Sequence, residues 1–150
     1  MKNYDVIIIG GSAAGMVTAL TGKSNYPDKS FLIIRKEKDA FVPCGIPYIF
    51  GTLKTSEQNI MPVQGLLKAG IEFKQGEVIG INRNEKTIKT NDGLELKYEK
   101  LVFATGSTPY LPTWLKGYNL KNVFTIPKDK IYLDEVKEKL NNFNKIVIIG

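Results

Sequence analysis

Residues 5–15 read Asp5-Val6-Ile7-Ile8-Ile9-Gly10-Gly11-Ser12-Ala13-Ala14-Gly15, an apolar run that empties into a turn of small residues and then into a helical pattern. Four consecutive β-branched residues suit a strand covered on both faces. Gly10 permits a tight turn, and Gly15 lets the following helix pack closely on the strand. The free N–H groups at the start of that helix attract the pyrophosphate of a dinucleotide. Ser12 stands where G-x-G-x-x-G has its middle glycine, so the motif alone also admits a strand-turn-helix without ligand.

The following residues supply the context that the motif needs. From Met16 to about Lys23 apolar and small residues recur at helical spacing, with Gly22 placed to end the helix. A turn over residues 24–28 leads into Phe31-Leu32-Ile33-Ile34, a second buried strand, which completes β-α-β. A dinucleotide fold usually presents an acid to the adenosine ribose after this strand. Here Arg35 holds that place and Glu37 follows. Either Glu37 reaches back, or Arg35 and Lys36 frame the ribose and adenine by hydrogen bonds and stacking; a solvated charged loop is the plain alternative.

The second informative stretch is Ala40-Phe41-Val42-Pro43-Cys44-Gly45-Ile46-Pro47-Tyr48-Ile49-Phe50-Gly51. Pro47 fits the first turn of a short helix ending at Gly51, which puts Cys44 near a helix N-terminus, where the dipole favours a thiolate. A buried small hydrophobe is the competing reading of Cys44. Residues 52–69 are loosely patterned, with a short helix over 63–69 ending at Gly70. Segments 71–74, 77–82, 86–90 and 94–98 read as short strands of a small antiparallel excursion, with Asn91-Asp92-Gly93 as a hairpin turn. Leu101-Val102-Phe103 is another buried strand and ends in Ala104-Thr105-Gly106, small residues that let backbone approach a ligand. Residues 109–118 read as a connector and 127–140 as an amphipathic helix burying Ile131, Val136 and Leu140. Lys145-Ile146-Val147-Ile148-Ile149-Gly150 then echoes Asp5–Gly10. That echo suggests the opening of a second dinucleotide-binding unit, and hence a fragment of a longer protein.

Composition narrows the classes further. The net charge of +6 comes from dispersed lysines without interleaved basic-aromatic patches, which argues against a nucleic-acid partner. No apolar run approaches the ~18 residues of a membrane span, and the N-terminus lacks a signal-peptide pattern. The expectation is therefore a cytoplasmic protein with no membrane partner. One cysteine rules out an internal disulfide, and with no histidine any mechanism that needs an imidazole base must borrow it from elsewhere.

Taken together, these residues resemble the FAD-dependent pyridine nucleotide-disulfide oxidoreductases. Within them the chain is similar to the single-cysteine branch of NADH oxidases, coenzyme A disulfide reductases and NAD(P)H sulfur or polysulfide reductases. The resemblance covers all 150 residues and rests on Ile9–Gly15, Cys44-Gly45-Ile46-Pro47-Tyr48 and Tyr98–Pro109. It implies an α/β, Rossmann-like FAD-binding fold with a parallel sheet and a small antiparallel excursion, incomplete in this chain. Residues 1–112 would form the N-terminal part of the FAD-binding domain. Residues 113–150 would form a connector and the first helix and strand of an NAD(P)H-binding domain.

By the same resemblance Gly10, Ser12, Ala13, Ala14 and Gly15 would line the FAD pyrophosphate, and Arg35 and Lys36 would meet the adenosine. Val78 would offer its backbone to the adenine, and Ala104, Thr105 and Gly106 would close over the nucleotide. Pro43 and Cys44 would lie at the isoalloxazine ring. Hydride would pass from NAD(P)H to FAD and electrons on to Cys44, the catalytic residue, held as a mixed disulfide, persulfide or sulfenic acid. The acceptor would be a small molecule: a disulfide, a polysulfide, a coenzyme A species or oxygen. The full-length protein would be a homodimer, and the isolated 150 residues would show no NADH turnover. Ala40 and Pro43 replace a serine and an asparagine that hold coenzyme A in relatives, and Ala13 replaces a histidine that assists peroxide chemistry. The first departure weakens the case for coenzyme A and the second that for peroxide chemistry, which leaves a reductase of sulfur species or disulfides with oxidase activity as a side reaction. The alternative is a non-catalytic flavin- or nucleotide-binding module with a structural cysteine.

Overall fold

The computed structural model describes residues 1–149; Gly150, the glycine expected to open a second turn, lies outside them. Strands are β1 (Lys2–Ile9), β2 (Phe31–Arg35), β3 (Glu72–Gln75), β4 (Val78–Asn82), β5 (Thr87–Thr90) and β6 (Glu95–Phe103). Helices are α1 (Ala13–Asn25), α2 (Ile46–Ile49), α3 (Gln64–Lys68) and α4 (Lys130–Leu140). Among the described residues the strands form one sheet in the order β3-β2-β1-β6-β5-β4. The first four run parallel, and β6, β5 and β4 are antiparallel neighbours.

The apolar run becomes β1 because only the middle of this sheet offers cover on both faces. Ile7 packs with Tyr4, Leu32 and Ile34 beneath Ile88, Leu96 and Tyr98 of the antiparallel strands. Ile8, one residue on, points the other way and meets Met16 and Ala19 of α1, Ile33, and Leu66 of α3. The antiparallel excursion is therefore a lid on one face of the sheet, and α1 with α3 covers the other. Ile9 pairs with both Ile34 and Phe103, so β1, β2 and β6 end level. That level edge, where the chain runs to β2 on one side of β1 and to β6 on the other, is a topological switch point.

Several sequence expectations are corrected. Helix α1 continues past Gly22 to Asn25. A Cβ at Gly22 would lie 2.6 Å from the Phe31 ring, so this glycine serves close helix–strand packing, not termination. β3 joins the parallel sheet beside β2 and is not part of the antiparallel excursion, because the apolar Phe73 side is needed against the α3 face of the core. Segments 94–98 and 101–103 are one continuous strand, β6, whose first half pairs with β5 while its whole length pairs with β1. The hairpin at Asn91-Asp92-Gly93 forms as expected: Thr90 N–H donates to Leu94 O at 2.9 Å and Gly93 has φ +82°.

Helix α4 starts at Lys130, later than residue 127, because Asp129 caps it by accepting from Tyr132 N–H at 3.0 Å. Its buried residues are Leu133 and Val136. Leu133 packs with Phe41, Ile46 and Ile49, so α4 sits on the segment that carries Cys44. Ile131, expected inside, is 76% exposed. Two residues before Leu133, it lies about 200° round the helix at ~100° per residue. Lys130 Nζ bridges Glu57 and Asp134, each at 2.7 Å, and Lys137 Nζ reaches the carbonyls of Leu53 and Lys54 at 3.4 Å. Residues 145–149 form no strand, and Ile146 to Ile149 are exposed.

Leu133→Ala is expected to cost ~2–5 kcal/mol in urea unfolding, against no more than about 0.5 for Ile131→Ala. Equal effects would contradict the placement of α4.

Three carboxylates titrate well below their ordinary range. Ser30 N–H, Lys29 and the Ser30 hydroxyl depress Asp5, Lys130 holds Glu57 at about 2, and Lys74 holds Asp92 at about 2. Each group is more acidic folded than unfolded, so its contribution is present above pH ~4.5 and disappears as the pH falls towards 2. Stability followed by circular dichroism should fall across that window, and Glu57→Gln should flatten the fall.

Candidate functional site

The level strand ends are joined by a turn with no room for side chains. Gly10 has φ +107°, its N–H donates to Ile34 O at 2.8 Å, and a Cβ there would lie 2.1 Å from Ala104 O. A Cβ on Gly15 would lie 1.9 Å from Gly10 O. Glycine is thus required at both positions by backbone approaching backbone, as the motif predicts. Ser12 precedes α1 in an extended conformation and makes no side-chain cap bond. The first helical bond runs from Met16 N–H to Ser12 O at 2.9 Å, which leaves the N–H groups of Ala13, Ala14 and Gly15 without an intrahelical acceptor. Ala13 and Ala14 are exposed, and the first turn holds no acidic residue to offset the dipole. Small exposed residues, uncapped donors and a positive helix end suit the pyrophosphate of FAD.

Arg35 is placed differently from the expectation that it reaches the adenosine. It is 4% exposed, and its donors are taken by protein carbonyls. Nη1 bonds Gly11 O at 3.0 Å, Nε bonds Glu37 O at 2.9 Å, and Nη2 bonds Lys38 O. The guanidinium stacks over Phe73, 4.8 Å from the ring centroid. Burial lowers its pKa while Asp39 and Glu37 act the other way, and an arginine stays charged through such a shift. The side chain therefore braces the glycine turn against the loop after β2 and places a cation beneath it. Lys36 is exposed and pairs with Glu77 at 3.0 Å, one residue before Val78. Glu37 is exposed as well.

On the other side of β1, Ala104 N–H donates to Ile9 O at 2.8 Å, which brings the second small-residue turn against the first. Thr105 is exposed and Gly106 has φ +73°. Lys128 Nζ approaches this turn, 3.4 Å from Ser107 Oγ, a neighbour that no local pattern announced.

Cys44 is the centre of a 3-10 turn, Pro43–Gly45, that runs directly into α2 with Pro47 in its first turn. It is exposed, so the reading as a buried small hydrophobe fails, while Ile46 and Ile49 beside it are buried. Helix α2 ends at Ile49 rather than Gly51 and is a single turn, which carries little of a helix dipole. Presentation of the thiol depends instead on backbone bonds to a neighbouring segment. Met61 N–H donates to Ala40 O at 2.8 Å and Val42 N–H to Asn59 O at 2.9 Å. Asn59 belongs to the stretch that the sequence left unpatterned, and its contacts come only from the fold. Among the described residues no group of acidic, cysteine or histidine side chains is arranged to hold a metal ion, and no helix is long and apolar enough to cross a membrane.

The family profile for pyridine nucleotide-disulphide oxidoreductases matches residues 4–150. The chain is 36% identical over 153 residues to the NAD(P)H coenzyme A polysulfide/persulfide reductase of Pyrococcus horikoshii, covering 97% of this chain and 34% of that protein. It is 34% identical over 156 residues to the NADH oxidase of Methanocaldococcus jannaschii, with 96% and 34% covered. The structure of an NAD-dependent persulfide reductase from A. fulgidus superposes with a TM-score of 0.75 at 25% identity, over 93% of this chain and 28% of that one. The chain thus spans about a third of the length of the curated relatives it matches.

Arg35→Met keeps an apolar stem but leaves three carbonyls short of donors, and is expected to cost about 1–3 kcal/mol in urea unfolding. Arg35→Lys should recover only part of this, since one ammonium cannot replace the planar fork. Gly15→Ala should destabilise by ~1–3 kcal/mol or more and abolish FAD binding followed by flavin fluorescence. Wild-type FAD affinity in that variant would contradict the close approach at Gly10.

Proposed function

The chain belongs to the pyridine nucleotide-disulphide oxidoreductases, and on that premise we propose that it is the FAD-binding N-terminal portion of an NAD(P)H-dependent reductase of sulfur species. Its fold is the Rossmann-like FAD-binding fold of these oxidoreductases. The family uses FAD and NAD(P)H, and FAD when bound supplies the two-electron link between the nicotinamide nucleotide and a thiol. In this reading Gly10, Ser12, Ala13, Ala14 and Gly15 receive the pyrophosphate. Lys36 and Val78 face the adenosine, with Arg35 bracing the turn from behind. Ala104, Thr105 and Gly106 close the nucleotide side, and Pro43 and Cys44 face the ring. Residues 1–112 form the flavin portion. Residues 113–150 form the connector and the opening helix and strand of a nicotinamide-nucleotide domain, a reading supported by the exposed apolar run from Ile146 to Ile149.

The observation that carries the proposal is an exposed thiol on an ordered turn: Cys44 is open to solvent while the residues around it are tied down. A structural cysteine gains its stability by burial, which this one lacks. As a thiolate, Cys44 attacks one sulfur of a disulfide or polysulfide. A Cys44–sulfur bond forms, the original sulfur–sulfur bond breaks, and the departing thiolate takes a proton. Two electrons and a second proton then cleave the mixed disulfide or persulfide, returning Cys44 and releasing the second thiol. The 150 residues hold no histidine, so the protons come from solvent at the exposed turn or from a group supplied by the rest of the enzyme. Persulfide chemistry in the names of two relatives, one of which also names coenzyme A, supports a sulfur acceptor, and Ala13 in the place of a histidine disfavours peroxide. Homodimerisation of the whole enzyme belongs to the same proposal.

In the full-length, FAD-loaded protein, Cys44→Ser is expected to lower disulfide or polysulfide reduction by several orders of magnitude while NAD(P)H still bleaches the flavin. Full acceptor activity in that variant would favour a nucleotide-binding module whose cysteine is only structural.

A further inference from the structure

The turn that presents Cys44 is held by a side chain outside it. Val42 O accepts two bonds, from Gly45 N–H at 2.9 Å and from Asn59 Nδ2 at 3.1 Å. Val42 N–H in turn donates to Asn59 O at 2.9 Å, so Asn59 grips Val42 with backbone and side chain together. Asn59 is 5% exposed, which makes its amide a buried polar group that must keep its partner.

Gly45 adds an independent observation. Its φ of −86° and ψ of −13° suit any residue, so the backbone does not call for glycine. Space does: a Cβ at position 45 would lie 1.9 Å from Asn59 Oδ1 and 2.8 Å from its Cγ. The glycine after the cysteine is there because Asn59 is packed onto it.

We infer that Asn59 is a positioning residue for Cys44, its amide fixing the Val42–Gly45 turn from outside while its bulk dictates glycine at position 45. This rests on the reading of Cys44 as the redox group. Asn59 does not touch the reacting sulfur; it holds the backbone on either side of the sulfur, where a small displacement of a reacting group has large kinetic effects. Its neighbours at the turn are uncharged, so the effect is geometric.

The test is the rate of Cys44 alkylation by iodoacetamide across pH in the intact chain, with the urea-unfolded chain as reference and circular dichroism as the check on folding. Asn59→Ala and Asn59→Leu should each shift the rate towards the unfolded value by about fivefold, the population change expected for one lost hydrogen bond. Asn59→Leu keeps the branched shape and loses the donor without adding a charge, so it carries the test if the alanine variant does not fold. Gly45→Ala should be destabilised, and adding Asn59→Ala should relieve that clash while leaving the thiol as reactive as in Asn59→Ala alone. In the unaltered chain the Gly45 N–H should be protected from hydrogen exchange relative to exposed loop amides. Wild-type alkylation rates and pH profile in both Asn59 variants, or an unprotected Gly45 N–H, would overturn the inference. Alkylation reads the thiol's setting whatever its role, so a Cys44→Ser enzyme that kept its activity would end the redox reading without altering this result.

Discussion

The approach of Gly10 to Ala104 and Gly15 is the constraint on which the rest of the molecule depends. Three strand ends and one helix start converge on a point where backbone touches backbone, and a single Cβ would push them apart. Because β1, β2 and β6 end level there, α1 opens over the switch point, with Ala13 and Ala14 exposed. The same geometry explains why a helix start without a side-chain cap is tolerated. Its donors have no intrahelical acceptor, and a helix start of this kind suits an anion such as a pyrophosphate.

Two structures attach the chemistry to that point. Arg35, buried and bonded to three carbonyls, locks the glycine turn to the loop after β2 and leaves its positive charge beneath the cradle. The Cys44 turn is then fixed by the segment around Asn59 and backed by α4 through Leu133. An ionic bridge from Lys130 to Glu57 and Asp134 closes over this contact. The thiol is thus exposed but not loose, and the connector that follows the second small-residue turn contributes to its support.

Much of this was legible in local sequence, and the reason is local. Gly10, Gly15 and the β-branched run of β1 declare themselves because steric demand and hydrophobic burial act on neighbouring residues. The hairpin at Asn91-Asp92-Gly93 does so because turn chemistry is read from adjacent residues. Arg35 stands in the acid's place in the sequence, but its direction is not legible there: whether it turns towards a ligand or back to Gly11 depends on where the Gly11 carbonyl lies in space. Ile131 reads as a core residue because apolar spacing is ambiguous until the position of α2 selects a face. Gly22 has the local signature of a helix end, and Phe31, nine positions on at the start of β2, makes it a packing contact. Asn59 carried no signal, since an amide matters only through its partner.

By itself, then, the sequence determined the alternation of strand, small-residue turn and helix, the lack of an internal disulfide and of histidine in these 150 residues, and the presence of one thiol beside a dinucleotide motif. Those follow from residue type and short spacing, where covalent geometry and burial leave few choices. Tertiary structure alone decided that β3 joins the parallel sheet, that the antiparallel strands cover one face of it, that Arg35 braces the cradle, and that Asn59 and α4 hold the turn bearing Cys44. These depend on contacts between residues far apart in the chain, whose energies exist only once the sheet has brought them together.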